Sequence, residues 1–377
     1  MHYRRFGKTN LNLSIFSLGT MRLPSATGAE QTVQQAWERG INHFETAQAY
    51  GQSERNLGLA LSGLLAPRDQ VYLTTKIIPT PDREGMARAI DDSLEHLGVD
   101  YLDCLAIHGL NTWEHLAWVQ ADQGCMQAAQ QAIADGKVDH LGFSTHGALD
   151  LIQAAIATDL FEFVNLHYTL LYQRNAPVLA LAAQKDLGVF IISPADKGGQ
   201  LYTPSETLQE LCDPFLPLHL NYRFLLSDQR ISTLSLGAAN PVELDLPLAV
   251  AEQTDAFTPL EKVVLDRLER HQKVALGTDR CSQCYACLPC PEAIQIPEVL
   301  RLRNLTVAYD MESFGRYRYA MFENAGHWFP GTKANRCTEC GDCLPRCPEN
   351  LDIPALVQDT HQRLKGLDRR RLWEANP

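Results

Sequence analysis

Over the first 240 residues, short apolar runs alternate with longer amphipathic stretches. The runs are SIFSLG at 14–19, INHFET at 41–46, VYLTTKI at 71–77, LDCLAIH at 102–108, HLGFS at 140–144, EFVNLHY at 162–168, GVFIIS at 188–193 and STLSLG at 232–237, eight in all. Near-continuous hydrophobicity is the pattern of strands buried on both faces, hence of a parallel sheet. Several connecting segments repeat apolar residues at helical spacing, such as Val33, Ala36 and Trp37, or Ala89, Ile90, Leu94 and Leu97. Eight β–α repeats in about 250 residues is the size of a (β/α)8 TIM barrel. An open doubly wound sheet is the alternative, but it wants a glycine-rich turn after its first strand, and LGTMRLP at 18–24 is not one.

The strand signal stops near residue 240. Pro241, Pro247 and Thr258-Pro259 punctuate the chain, and PLEKVVLDRLERHQK at 259–273 predicts an amphipathic helix with Thr258 as its N-cap. Beyond 277 two cysteine-rich runs sit between helical stretches expected at 297–327 and 353–366. The pattern divides into a barrel domain at 1–276 and a small helical domain at 277–377.

Composition sharpens this division. The 377 residues are 45% hydrophobic and 21% charged, proportions of a globular protein rather than a disordered one. The formal charge of −12 lies wholly in residues 1–276, and the tail balances 13 basic against 13 acidic side chains. There is no basic stripe for nucleic acid, no apolar run long enough to span a membrane, and no signal-peptide pattern at the start. A cytoplasmic protein is expected. Arg369-Arg370-Arg371 reads as a solvated helix end.

Eight of the eleven cysteines fall in CSQCYACLPCP, with Cys281, Cys284, Cys287 and Cys290, and in CTECGDCLPRCP, with Cys337, Cys340, Cys343 and Cys347. Three thiolates at successive two-residue gaps wrap one face of a cuboidal iron–sulfur cluster, and a fourth before proline reaches the other cluster. Two 4Fe-4S clusters are therefore expected with crossed ligands. One takes Cys281, Cys284, Cys287 and Cys347; the other takes Cys337, Cys340, Cys343 and Cys290. The two-residue gap before Cys290, against three before Cys347, departs from the standard run. The competing reading is two structural zinc sites, although zinc modules typically draw two ligands from each short element. Cys104, Cys125 and Cys212 are expected to be buried and inert.

The barrel carries its own constellation. FETAQAYGQSE at 44–54, TTK at 74–76 and LAIHG at 105–109 set Glu45, Tyr50, Lys76 and His108 at the C-terminal ends of strands two to four, the face where barrel active sites lie. A lysine beside a tyrosine stabilises the phenolate, and the phenol can then protonate a carbonyl oxygen as hydride arrives at carbon. His43 and His167 read as packing or mouth residues, and His146 as a weaker pocket candidate.

These motifs resemble the aldo/keto reductase family. YRRFGKTNLNLSIFSLGTMRLP at 3–24 is similar to its N-terminal hairpin and first strand, and ETAQAYGQSE to its DTAxxYGxSE stretch. LGFSTH at 141–146, VNLHYTLL at 164–171, ISPADKGGQL at 192–201 and NYRFLLSDQRISTLSLGA at 221–238 resemble the later strands. The tail resembles the helical dicluster ferredoxin-like domain fused to some members.

The resemblance implies reduction of a small aldehyde or ketone by NADP or NAD cofactor in reduced form. Tyr50 would be the general acid, Lys76 its tuner, His108 the orienter of substrate and Glu45 the partner of lysine. It also implies Ser144 and Asn165 at the nicotinamide carboxamide, Thr20 and Met21 lining the cofactor, and Ser193, Lys197 and Gly199 along the pyrophosphate.

Three positions depart from the family. Glu45 stands for aspartate; Asn165 and Ile192 replace the usual glutamine and stacking aromatic; and GAANPVELD lacks the basic cluster that grips the 2′-phosphate of NADP after strand eight.

A redox protein such as a ferredoxin is the expected partner of the clusters. Nicotinamide hands over two electrons as hydride, whereas clusters take one at a time, and no flavin motif is visible to split the pair. The alternative is a non-catalytic electron-transfer or redox-sensing protein built on a degenerate barrel.

Overall fold

A computed structural model describes residues 1–23 and 25–366; Arg369, Arg370 and Arg371 lie outside the described residues. A short antiparallel hairpin, β1 (Tyr3–Arg5) and β2 (Asn12–Ser14), precedes eight parallel strands. These are β3 (Phe16–Gly19), β4 (His43–Glu45), β5 (Tyr72–Ile77), β6 (Leu102–Ile107), β7 (Val138–Ser144), β8 (Phe163–Leu166), β9 (Gly188–Ile191) and β10 (Thr233–Leu236). They close into a barrel in the order β10-β3-β4-β5-β6-β7-β8-β9. Each strand lies inside, or within two residues of, one apolar run in the sequence. The run at 14–19 is split, because Ser14 pairs with Tyr3 in the hairpin and the barrel strand starts at Phe16.

The hairpin lies at the end of the barrel where the strands begin. Phe6 is fully buried against Phe163, the first residue of β8, with ring centroids 5.0 Å apart. A Cβ on Gly188, the first residue of β9, would come 2.3 Å from the Phe6 ring, so only glycine admits this plug. Behind it sits His43, 0% exposed, bonded through Nδ1 to Ser17 Oγ at 2.6 Å and through Nε2 to Thr74 Oγ1 at 2.7 Å.

Burial, and then the positive charge of Lys76, push the His43 imidazole down to a pKa of about 3. Below its ordinary value of about 6.5, the unfolded chain takes up a proton that the folded barrel refuses. Stability therefore falls as pH drops from about 6.5 towards 3, by about 1.4 kcal/mol per pH unit from this group alone. Denaturant midpoints measured by far-UV circular dichroism between pH 7 and 4 should fall less steeply for His43→Asn than for the native chain. Parallel slopes would clear His43 of that role.

By packing, the chain forms two compact units. One comprises Met1–Gly198 and Asn221–Ala256, the other Gly199–Leu220 and the described residues from Phe257 to Gly366. The boundary expected after 276 marks a change of composition, whereas packing also groups the helix Pro259–Leu276 and the segment 199–220 with the C-terminal part. The contacts explain why: Arg267 donates to the carbonyls of Leu211 and Asp213, and Tyr309 donates to that of Leu268.

The helix Pro259–Leu276 starts with a full capping box. Thr258 Oγ1 accepts from Glu261 N at 3.2 Å, and Glu261 Oε2 accepts from Thr258 N at 2.7 Å. The helical stretch expected at 297–327 is instead two helices, Ile296–Tyr309 and Glu312–Tyr319, followed by turns. Asp310, left-handed at φ 56°, ends the first of them. The last described helix is Ile353–Leu364.

Candidate functional sites

The barrel mouth gathers the end of every strand. Glu45 closes β4, Lys76 lies one residue from the end of β5, and His108 follows β6. Tyr50 comes from the turn after β4, where its amide donates to Ala47 O at 2.9 Å and Gly51 adopts φ 63°. Lys76 Nζ donates to Tyr50 Oη at 3.1 Å and to Thr46 O at 2.9 Å, and it forms an ion pair with Glu45. The extra methylene of glutamate does not break the contact.

Lys76 is 1% and Glu45 4% exposed. Burial alone would pull the ammonium pKa down, but the charges of Glu45 and Tyr50 and their hydrogen bonds outweigh it and hold the group above its ordinary value. Lys76 is thus a permanent cation against the phenol. Removing one partner of such a buried pair costs about 3–5 kcal/mol. The His108 ring stands perpendicular to that of Tyr50, centroids 5.6 Å apart.

The expected nucleotide contacts divide. Ser144 and Asn165 are opposite one another on β7 and β8, both buried. Ser144 Oγ accepts from Gly109 N at 3.0 Å, tying the loop that carries His108 to β7. Asn165 is 0% exposed, and among the described residues neither its Oδ1 nor its Nδ2 has a hydrogen-bond partner. Leaving a buried polar group unsatisfied costs about 1–3 kcal/mol. A carboxamide, with one acceptor and one donor edge, would satisfy both atoms, so this position fits a nicotinamide.

Thr20 is buried with its hydroxyl committed to Ser53 Oγ at 2.6 Å and Glu45 O at 3.1 Å, and Met21 is half-buried beside it. Ser193 takes a left-handed backbone at φ 49° after β9, and Lys197 N donates to Ser193 O at 3.2 Å. Gly199 opens the segment that packs with the other unit.

Some residues of this mouth carry no motif that singles them out. Ser53 Oγ is a hub, bonded to Thr20 Oγ1 and, at 2.9 Å, to Thr46 Oγ1. It braces the Glu45–Thr46 backbone whose carbonyl receives Lys76. Glu54, 2% exposed, accepts from Thr75 Oγ1 at 2.6 Å and contacts His96 Nδ1 at 3.1 Å. Both residues end the FETAQAYGQSE stretch, which was their only signal. His167, read from sequence as a packing or mouth residue, bonds through Nε2 to His146 Nδ1 at 2.9 Å.

In the C-terminal unit the cysteines converge on two pockets. Cys281, Cys284, Cys287 and Cys347 line one, together with Tyr285 and Glu349. Cys290, Cys337, Cys340 and Cys343 line the other, beside Arg346. The pockets sort the eight sulfurs as the crossed pairing does. Cys287 and Cys343 are buried, Cys284 and Cys340 exposed. Arg346 donates to Pro289 O at 3.0 Å and so clasps the two runs together.

Among the described residues no three His, Cys, Asp or Glu side chains converge as ligands of a single ion. Four soft sulfur donors around one void suit a cuboidal cluster. Burial pushes the thiols of Cys281 and Cys287 up to about 11 and about 12, so a metal there must displace their protons. Cys104, Cys125 and Cys212 are buried elsewhere, with thiol pKa values raised by burial.

A closed parallel barrel with a buried lysine–carboxylate–tyrosine set at its mouth, on the same chain as eight clustered thiols, is the architecture of an oxidoreductase barrel joined to an iron–sulfur domain. The aldo/keto reductase family profile matches residues 16–252, and a 4Fe-4S dicluster domain profile matches residues 280–352. The chain belongs to the aldo/keto reductase family and carries a 4Fe-4S dicluster domain C-terminal to it in sequence.

Relatives include the uncharacterised oxidoreductase YrpG of Bacillus subtilis, 27% identical over 53% of this chain and 68% of its own length. L-galactose dehydrogenase of Arabidopsis thaliana is 25% identical over 70% of this chain and 90% of its own. Methylglyoxal reductase DkgB of Escherichia coli O157:H7 is 30% identical over 46% of this chain and 64% of its own. Among solved structures, aldo-keto reductase AKR11C1 of Bacillus halodurans shares the fold with a TM-score of 0.62 and 22% identity, covering 71% of this chain and 96% of that one. No helix among the described residues is long and apolar enough to cross a membrane.

Proposed function

We propose that the barrel reduces a small aldehyde or ketone with a nicotinamide cofactor, while two 4Fe-4S clusters exchange single electrons with a redox protein. The observation that carries the first half is Lys76, buried as a cation between Glu45 and Tyr50. A bound reduced nicotinamide supplies the hydride. Tyr50 gives its phenolic proton to the carbonyl oxygen, so carbonyl, hydride and proton leave as an alcohol. Lys76 stabilises the phenolate that remains, and Glu45 keeps Lys76 in place and protonated. His108 hydrogen-bonds the same oxygen and orients the substrate. Asn165 and Ser144 hold the carboxamide, Thr20 and Met21 flank it, and Ser193 and Lys197 follow the pyrophosphate.

Cys281, Cys284, Cys287 and Cys347 hold one cluster; Cys290, Cys337, Cys340 and Cys343 hold the other. A 4Fe-4S cluster supplies one-electron exchange. The exposed Cys284 and Cys340 bring each pocket to the surface, where a protein partner can approach. Such thiolate-held clusters and the three buried free thiols suit the reducing cytoplasm.

The reading of a degenerate barrel rests on Glu45 and on the weakened cofactor groove; the ion pair of Lys76 with Glu45 weighs against the first of these. The test is titration of the cluster-replete protein with NADH and NADPH by nicotinamide fluorescence, followed by turnover of simple aldehydes. Binding of at least one nucleotide and consumption of it with aldehyde are expected. Reducible clusters on a protein that binds neither nucleotide would overturn the reading.

A further inference from the structure

We propose that Glu243 sets the nucleotide preference of this barrel, excluding a 2′-phosphate so that NADH is taken in preference to NADPH. The inference rests on the nicotinamide reading above and deepens it. Phosphate groups bound to parallel eight-stranded barrels commonly lie at the loops after the last two strands. The loop after β10, GAANPVELD at 237–245, contains two acids and no base.

Arg22, after β3, is one of two guanidiniums that reach this loop, and both of its terminal nitrogens are engaged there. Nη1 and Nη2 meet the two oxygens of Glu243 at 2.6 and 3.3 Å, and Nη1 also donates to Gly237 O at 2.8 Å. The fork that would grip a phosphate bidentately is filled by a carboxylate.

The loop amides are occupied as well. Ala239 N donates to Glu243 Oε2 at 3.1 Å, while Val242 N and Glu243 N donate to Asn240 Oδ1 at 3.1 and 3.3 Å. Arg39, from the helix Ala26–Glu38, is held in an ion pair with Asp245. A phosphate carrying about −1.5 to −2 charges would have to evict Glu243 from Arg22 and then remain beside that carboxylate. A ribose 2′-hydroxyl meets no such conflict. It is a donor, and a carboxylate is the acceptor that distinguishes NAD from NADP sites in other nucleotide folds.

The experiment measures dissociation constants of NADH and NADPH, by nicotinamide fluorescence, on the cluster-replete full chain and on Glu243→Gln and Glu243→Ser. The native protein should bind NADH at least tenfold more tightly than NADPH. Both variants should narrow that ratio at least fivefold, chiefly through tighter NADPH binding, with far-UV circular dichroism unchanged. Equal or tighter NADPH binding by the native protein, or a ratio that neither variant moves, overturns the assignment while leaving the nicotinamide reading intact. Binding of neither nucleotide by the native protein overturns both.

Discussion

Tyr50→Phe should lose carbonyl reduction by about 10²- to 10⁴-fold in kcat, the range a positioned general acid supplies. The substitution removes one oxygen and keeps the ring, so the edge-on contact with His108 and the face presented to Lys76 survive. Lys76 loses one of its hydrogen-bond partners but keeps Thr46 O and Glu45, so the buried cation stays compensated and the fold should hold. Nucleotide binding and cluster absorbance should match the native protein, because the substitution leaves Asn165 and all eight clustered cysteines unchanged. Steady-state turnover, nucleotide titration and visible absorbance on one preparation separate these effects. Turnover equal to native would remove Tyr50 from the chemistry. Loss of nucleotide binding together with turnover would give it a binding role instead of a proton-donating one.

Serine substitutions of the cysteines should fall into two classes that cross the linear order of the chain. Cys347→Ser and Cys281→Ser, 66 positions apart, should damage the same cluster and leave the same residual EPR signal after reduction. Cys290→Ser and Cys343→Ser should damage the other. The reason is the sharing of walls: Cys347 lies with the first run's three leading cysteines, and Cys290 with those of the second. Iron should drop from about eight to about four atoms per chain in each case. Residual signals that group by run, Cys290 with Cys281 and Cys347 with Cys343, would show uncrossed ligation. Full iron content in any of the four would exclude that residue as a ligand. Stoichiometric zinc in place of iron in the native preparation would end the electron-carrying half of the proposed function.

Much of this molecule follows from short-range rules. The eight strands stand where apolar runs stand, since a strand covered on both faces needs apolar residues at nearly every position. The N-cap at Thr258 is legible because it stands directly before Pro259 and the helical spacing that follows; its partner Glu261 lies only three positions further on. The cysteine runs announce soft-metal chemistry because ligand spacing along a tight loop is itself the geometry of the site. The break at Asp310 escaped this kind of reading, because a left-handed aspartate carries no mark that sets it apart from one inside a helix.

The rest depends on which distant residues the closure of the barrel and the packing of the tail bring together. Whether Glu45 could still reach Lys76 was a question of a single methylene, settled by where β4 and β5 lie side by side. Asn165 became an orphan amide only because β7 and β9 shut water out around it. Arg22 and Glu243 are 221 positions apart and meet because β10 pairs with β3 to close the ring. Ser53 became a hub only once the connections after β3 and β4 met. Residue spacing governs contacts within a turn or two of backbone; contacts across hundreds of residues are chosen by the closed fold, whose register no local pattern encodes.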